Sequence, residues 1–340
     1  MLMYYVVMKS NDIRRNLATE QYLMNQKNFD EPLLLFYIEK PCIIVGRNQN
    51  TYEEINQKYV EDHDITVTRR LSGGGGIYQD LGNLCFSFVV DADSEQFGDF
   101  KSFTQPIVDA LHQMGATTAE VSGRNDMLVD GKKFSGNAMY TKNGKTFSHG
   151  TLSWDVDLDV LTQALNAPAD KIASKGIKSI RQRVTNLKGH VVDPEYQNMS
   201  TEEFRDVLLL NLMHADQLAD VADREYQLTA ADEQAIDKIF DDLYSNWDWV
   251  YGKSPKSTIQ KRKHFDFGTI DARLLIENGK IANVKFYGDF FGSGDANELA
   301  EKLVGTVYDR EHLASTLEPI DTTPYFTGIP KTELVELLAQ

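Results

Sequence analysis

Hydrophobic residues change their spacing several times along this chain, and each change predicts an element. Met1–Met8 reads as a strand. Asp12 stands where an N-cap belongs, before a helix to about Asn25 with Leu17, Ala18 and Met24 at apolar positions. Leu33–Ile38 and Cys42–Gly46 read as strands on either side of Lys40-Pro41, and Val67–Leu71 leads into a run of glycines. Leu84–Val90 alternates as a half-buried strand does. Thr104 is read as the cap of a helix with Pro106 in its first turn, Ile107, Leu111 and Met114 on one face, and Gly115 as the stop. Asp130-Gly131 and Asn143-Gly144 are hairpin turns, so residues 118–154 read as a β-meander. Ser200 with Glu203 and Thr229 with Asp232 are capping-box pairs for two later helices. A polar stretch rich in tryptophan, residues 246–256, marks a boundary. Beyond it, Gly268–Ile276 and Ile281–Phe286 flank the turn Asn278-Gly279, and helices follow near 296–304 and 330–338. The expected domains are 1–246 and 256–340.

Composition narrows the class. Hydrophobic residues make up 41% and charged residues 25% of the 340, enough for a buried core. No apolar run approaches the ~18 residues of a membrane span, and Met1–Val6 lacks the basic start and cleavage site of a signal peptide. Two cysteines, Cys42 and Cys85, form no disulfide framework and sit in apolar strands, which points to a reduced, cytoplasmic enzyme. The net charge of −16 argues against nucleic-acid or anionic-membrane binding. An enzyme this acidic needs a local cationic patch to hold a phosphorylated substrate.

Such a patch stands at Arg69-Arg70-Leu71-Ser72-Gly73-Gly74-Gly75-Gly76. Bare backbone N–H groups in a glycine run can cradle an anion. No Gly-Lys-Ser/Thr follows, so this is not a Walker A loop, and Ile77-Tyr78 continues as strand, so it is not a dinucleotide fingerprint. Alone, the run would be only a flexible turn, and the arginines a solvated strand end. Arg70 shares a face with Ser72 and is the stronger candidate of the pair. Farther on come Gly123-Arg124-Asn125-Asp126 and Lys132-Lys133-Phe134-Ser135-Gly136-Asn137-Ala138. In a regular strand Lys133 and Ser135 share one face, Phe134 turns to the core, and Lys132 falls at the turn. A cleft-facing Lys133 can stabilise charge that develops on a carbonyl and a phosphate; without the neighbouring motifs both lysines would be ordinary hairpin residues. No histidine cluster has metal-ligand spacing.

Together these blocks resemble the lipoate–protein ligase family, whose catalytic domain is related to biotin ligases and class II aminoacyl-tRNA synthetases. Arg69 to Asn83 is similar to its Arg-Arg-x-Ser-Gly-Gly-Gly segment ending in Asp-x-Gly-Asn; Gly123–Asp126 with Lys133–Ala138 and His149-Gly150-Thr151 are similar to two further blocks. Asn16–Glu20, Ser179–Arg181 with Arg183–Asn186, and Gly288–Gly292 extend the resemblance over nearly the whole chain. It implies an α+β fold: a mixed β-sheet catalytic domain flanked by helices, with a small α+β C-terminal accessory domain. It also implies a carbon–nitrogen-forming ligase that converts lipoate and ATP to lipoyl-AMP and transfers the lipoyl group to a lysine of lipoyl domains of 2-oxoacid dehydrogenases or of glycine-cleavage H protein. By the resemblance, Lys133 is catalytic and touches both lipoate and phosphate. Arg70, Gly75, Gly76, Ile77, Tyr78, Asn83, Asn125, Asp126, Ser135 and Ala138 surround ATP or the adenylate. Leu17, Glu20, Arg70, Ser72 and His149 border the lipoyl chain. Asp126 is the candidate Mg²⁺ ligand. The sequence departs from the pattern at Gln79, where the family usually has histidine, and at Gly76, where alanine is common.

Two other readings stay open here. A transferase working through a cysteine thioester would need Cys42 or Cys85 to be accessible, and a non-catalytic lipoate-binding protein would not need Lys133. A biotin ligase is disfavoured, because no Gly-Arg-Gly-Arg-type loop is present. In an apolar pocket lipoate and octanoate would differ by only about 1–3 kcal/mol.

Overall fold

The computed structural model describes residues 3–92, 99–123, 125–166, 183–251, 259–277 and 280–339. Two compact units are present. The first comprises Met1–Ile44, Glu53–Thr68 and Ile77–Val250; the second comprises Val45–Tyr52, Arg69–Gly76 and Tyr251–Gln340.

The first unit is built on a seven-stranded sheet. Its strands are β1 (Tyr4–Val7), β2 (Leu33–Ile38), β6 (Asn83–Asp91), β7 (Glu120–Ser122), β8 (Asp126–Val129), β9 (Lys132–Lys142) and β10 (Lys145–Ser153), in the order β1-β2-β6-β10-β9-β8-β7. β1 runs parallel to β2 and the other pairs are antiparallel, so the sheet is mixed. All six residues of β2 are buried, as an unbroken apolar run requires when both faces of a strand are covered. A smaller sheet has the order β4-β3-β5, from β3 (Cys42–Val45), β4 (Thr66–Arg69) and β5 (Ile77–Gln79). The meander expected over 118–154 is β7 to β10. Its turns carry Asp130 and Gly131 at φ 49° and 74°, and Asn143 and Gly144 at 52° and 75°, the left-handed pairs that two-residue hairpins demand.

Among the described residues, four longer helices belong to this unit. Helix α1 (Ile13–Gln26) is capped by Asp12, whose carboxylate accepts from the Arg14 N–H. Helix α2 (Phe100–Gln113) begins earlier than the sequence suggested. Asp99, not Thr104, is its N-cap; the Thr104 hydroxyl donates to the Phe100 carbonyl within the helix, and Pro106 lies in the second turn. The apolar face was read correctly, but the cap lay one turn upstream. Helices α3 (Thr201–Met213) and α4 (Ala230–Ile239) both start with the expected capping boxes. Trp154 stacks on Phe204 of α3 with centroids 4.3 Å apart. Lys27, Tyr22 and Tyr226 converge on the buried Asp232 of α4, holding its carboxyl far below the ordinary range against the opposing effect of burial.

In the second unit β11 (Ile259–Phe265), β12 (Gly268–Glu277) and β13 (Lys280–Gly288) form an antiparallel sheet. Helices α5 (Ala296–Leu303), α6 (Arg310–Leu317) and α7 (Lys331–Ala339) bury Leu299, Leu303, Leu313 and Leu338 with Phe286 and Phe326 in one core. Strand β11 and helix α6 escape the sequence pattern. The run Ile-Gln-Lys-Arg-Lys-His-Phe is polar or charged at every interior position, so no alternation is visible. The turn Asn278-Gly279 lies outside the described residues.

Candidate active site

In the first unit, Lys133 stands near the start of β9. Its backbone carbonyl accepts from the Thr185 N–H at 2.9 Å, and it bridges Val184 in parallel. The described part of the family-like segment, Arg183–Asn186, therefore pins the strand that carries the lysine. The Lys133 ammonium lies 2.7 Å from the Asp126 carboxylate, and both side chains are a little over one-third exposed. It also lies 3.1 Å from where a Cβ of Gly136 would be, so a bare backbone at 136 leaves room for the lysine head. Strand β9 is not regular: Met127 faces Ser135 and Leu128 faces Lys133, leaving Phe134 as a bulge. Lys132 is exposed and Phe134 is buried, as the pattern required, but the bulge breaks the simple alternation behind the expected shared face of Lys133 and Ser135.

Farther along β9, Asn137 exchanges hydrogen bonds with Asn125: each side-chain amide donates to the other's backbone carbonyl. The Asn137 amide also reaches the buried Ser135 hydroxyl at 3.3 Å. Ala138 is the register partner of His149, whose Nδ1 sits 3.0 and 3.2 Å from the two carboxylate oxygens of Glu20. Glu20 and Leu17 belong to α1 and are buried. A Cβ on Gly150 would fall 2.1 Å from Asn137 Oδ1 and 2.6 Å from the Phe86 ring, so the glycine after His149 is a steric requirement. Arg124 and residues 179–181 lie outside the described residues.

Asp80 closes the turn before β6. One carboxylate oxygen accepts from the Gly82 N–H and the other from the Asp157 N–H, both at 2.9 Å. Burial and the Asp80 charge raise the Tyr78 phenol above its ordinary range. Asn83 donates to Cys85 Sγ at 3.3 Å, and Cys85 donates to the Gln79 side-chain oxygen at 2.8 Å. Gln79 thus satisfies a buried thiol. Burial drives the thiols of Cys42 and Cys85 well above their ordinary range, and neither is presented as a nucleophile.

In the second unit, Arg69 and Arg70 hold two different stretches of backbone. Arg69 donates to the carbonyls of Gly46, Arg47 and Gln49 and to the Thr51 hydroxyl. Arg70 donates to the Ser72 hydroxyl at 3.1 Å and to the carbonyls of Gly73 and Gly75 at 2.8 Å. Its guanidinium charge is thereby fixed against the loop it shapes. Gly74 has φ +94°, and a Cβ on Gly46 would lie 1.9 Å from the Gly74 carbonyl oxygen. Gly75 is exposed, and a Cβ added to it would meet nothing within 4 Å. Gly46 and the clamping role of Arg69 went unread in the sequence, because both depend on the chain folding back on itself.

Sequence families decide the assignment. The lipoyl protein ligase A/B catalytic domain matches residues 12–213, and the bacterial lipoate protein ligase C-terminus matches residues 254–338. The chain belongs to the lipoate–protein ligase family. It is 47% identical to lipoate–protein ligase LplJ of Bacillus subtilis (strain 168), over 96% of this chain and 97% of that protein. Solved structures also resemble this ligase, and two serve as examples. One is a bi-partite lipoate protein ligase studied with its E2 lipoyl domain from Thermoplasma acidophilum, at TM-score 0.64 and 28% identity, covering 76% of this chain and 100% of that one. The other is a lipoate–protein ligase A bound with ATP, at TM-score 0.61 and 26% identity, covering 74% and 99%. Among the described residues no helix of this ligase is long and apolar enough to cross a membrane, and no group of three His, Cys, Asp or Glu could hold a metal.

Proposed function

We propose that this ligase activates free lipoate with ATP and passes the acyl group to a lysine of an acceptor domain. Lipoate's carboxylate attacks the α-phosphorus of ATP and pyrophosphate leaves, giving lipoyl-AMP. The acceptor ε-amine then attacks the acyl carbon, AMP leaves, and an amide bond forms. No covalent bond to the enzyme is needed, so positioning and charge stabilisation carry the catalysis.

The observation that supports this most is the Lys133 ammonium, held beside Asp126 over the bare backbone of Gly136 with more than a third of its side chain exposed. We assign it to the carbonyl and phosphate oxygens of the reacting anhydride. Arg70, Gly75 and Gly76 are assigned to phosphate, and Ile77, Tyr78, Asn83, Asn125, Asp126, Ser135 and Ala138 to the adenylate. Leu17, Glu20, Ser72 and His149 are assigned to the acyl chain. Mg²⁺ would arrive with the nucleotide. Asp126 offers it a single partly exposed carboxylate, which suits an ion held mostly by phosphate oxygens and does not make a dedicated cage. Residues 1–246 are assigned to activation and 256–340 to an accessory role, and the reaction to the cytoplasm. The acceptors are lipoyl domains of 2-oxoacid dehydrogenases and the glycine-cleavage H protein.

The test incubates the purified enzyme with ATP, Mg²⁺, lipoate and each acceptor, followed by mass spectrometry. One added lipoyl group per acceptor, lost on omission of ATP or Mg²⁺, is expected. Unmodified acceptors with retained lipoate binding would instead mark a binding protein.

A further inference from the structure

The sheet places one orphaned hydroxyl where the far end of an acyl chain would lie. The Lys133 ammonium sits on the face to which a Cβ of Gly136 would point. Side chains two apart on a strand share a face, and directly paired residues share it across strands. Ala138 is therefore on that face, as are its partner His149 on β10 and His149's partner Ser87 on β6. His149 meets Glu20 there, so this is the face that α1 covers. Ser87 is 0% exposed, and its Oγ has no hydrogen-bond partner. Asn137 Oδ1 and Ser148 Oγ are also unpartnered, but they occupy the alternate positions of β9 and β10 and point to the opposite face. Next to Ser87 on its own face stand Leu35 of β2 and Val89 of β6, which offer no acceptor, and Cys85 of β6, whose thiol is engaged by Asn83 and Gln79.

Length supports the placement. From β9 to β6 across β10 is two strand spacings, about 10 Å. An eight-carbon acid with ~1.5 Å bonds extends to about 9 Å, so a chain whose carboxyl lies at Lys133 puts its far carbons near Ser87. In lipoate those far carbons carry the two dithiolane sulfurs, and in octanoate they carry only hydrogen. Sulfur is a weak hydrogen-bond acceptor. A buried donor without a partner favours a ligand that supplies one over an isostere that cannot.

We infer that Ser87 is a specificity residue whose hydroxyl donates to a dithiolane sulfur and so favours lipoate over octanoate. This rests on the reading that the α1-covered face receives the acyl chain. The test compares kcat/KM for pyrophosphate release with lipoate, octanoate and octanoate carrying one sulfur in place of carbon 6. Ser87→Ala lowers the value for lipoate about 3- to 10-fold and leaves octanoate unchanged. Ser87→Thr, which keeps a hydroxyl, retains most of the wild-type ratio. An unchanged lipoate-to-octanoate ratio in Ser87→Ala overturns the inference and leaves the ligase reading intact. Wild-type enzyme that treats octanoate and its sulfur analogue alike overturns it without any variant. Wild-type enzyme that activates none of the three acids removes the ligase reading as well.

Discussion

Glu39 follows the fully buried strand β2 and is itself 0% exposed. Its hydrogen-bond donor is the Asn16 amide of α1, 3.1 and 3.2 Å from the two carboxyl oxygens. Burial pushes its pKa up from 4.5 to about 8, with the Asn16 bond opposing and the Asp12 charge reinforcing the shift. The folded state therefore binds a proton between these two pH values that the unfolded state releases. The contribution to stability is fully present below pH 4.5, falls as pH rises, and is gone above about pH 8. At 1.36 kcal/mol per pH unit the loss reaches about 3 kcal/mol by pH 7 and at most about 5 kcal/mol beyond pH 8. Glu39→Gln keeps the shape and the acceptor for Asn16 but has no proton to lose. Urea unfolding of both proteins at pH 5, 7 and 9 should give near-equal stability at pH 5 and a variant more stable by about 2–4 kcal/mol at pH 9. Parallel stability curves across that range would refute the argument, because they would mean Glu39 ionises at its ordinary pKa. Glu39 ties β2 to the helix that carries Leu17 and Glu20, which are proposed above to border the acyl chain.

Three further outcomes follow from the geometry. Gly150→Ala should lose about 1–3 kcal/mol of stability in thermal or urea unfolding, since its Cβ has no room beside Asn137 and Phe86; an unchanged midpoint would mean the strand relaxes freely. Cys85→Ala should keep both adenylate formation and acyl transfer within a few-fold of wild type, and loss of transfer alone would restore the thioester mechanism. Asp126→Ala should slow adenylate formation at least about ten-fold at saturating substrates by freeing the Lys133 head, whereas an unaltered kcat would make the ion pair incidental.

Much of the first unit could be read from residue order because its signals are local. Asp12, Ser200 and Thr229 announce their helices, and Asp130-Gly131 and Asn143-Gly144 announce their turns. Lys133 was separable from Lys132 because a buried Phe134 fixes the orientation nearby, although the bulge at Phe134 is invisible in a two-residue period. What stayed hidden depends on distant partners. Arg69 and Arg70 look alike in sequence, yet one clamps Gly46–Thr51 and the other clamps its own loop. Gln79 reads as a departure from a pattern until Cys85 is seen donating to it. Glu39 carries one clue, an acid placed directly after six buried apolar residues.

The central claim is that Lys133 stabilises the charge that develops as lipoate attacks ATP. Lipoate-dependent exchange of labelled pyrophosphate into ATP tests it without any acceptor protein. The wild-type enzyme should catalyse exchange that vanishes without lipoate. Lys133→Ala should lose at least about 100-fold of the rate while its unfolding midpoint stays close to wild type. Exchange that persists at a near wild-type rate in Lys133→Ala would contradict the account.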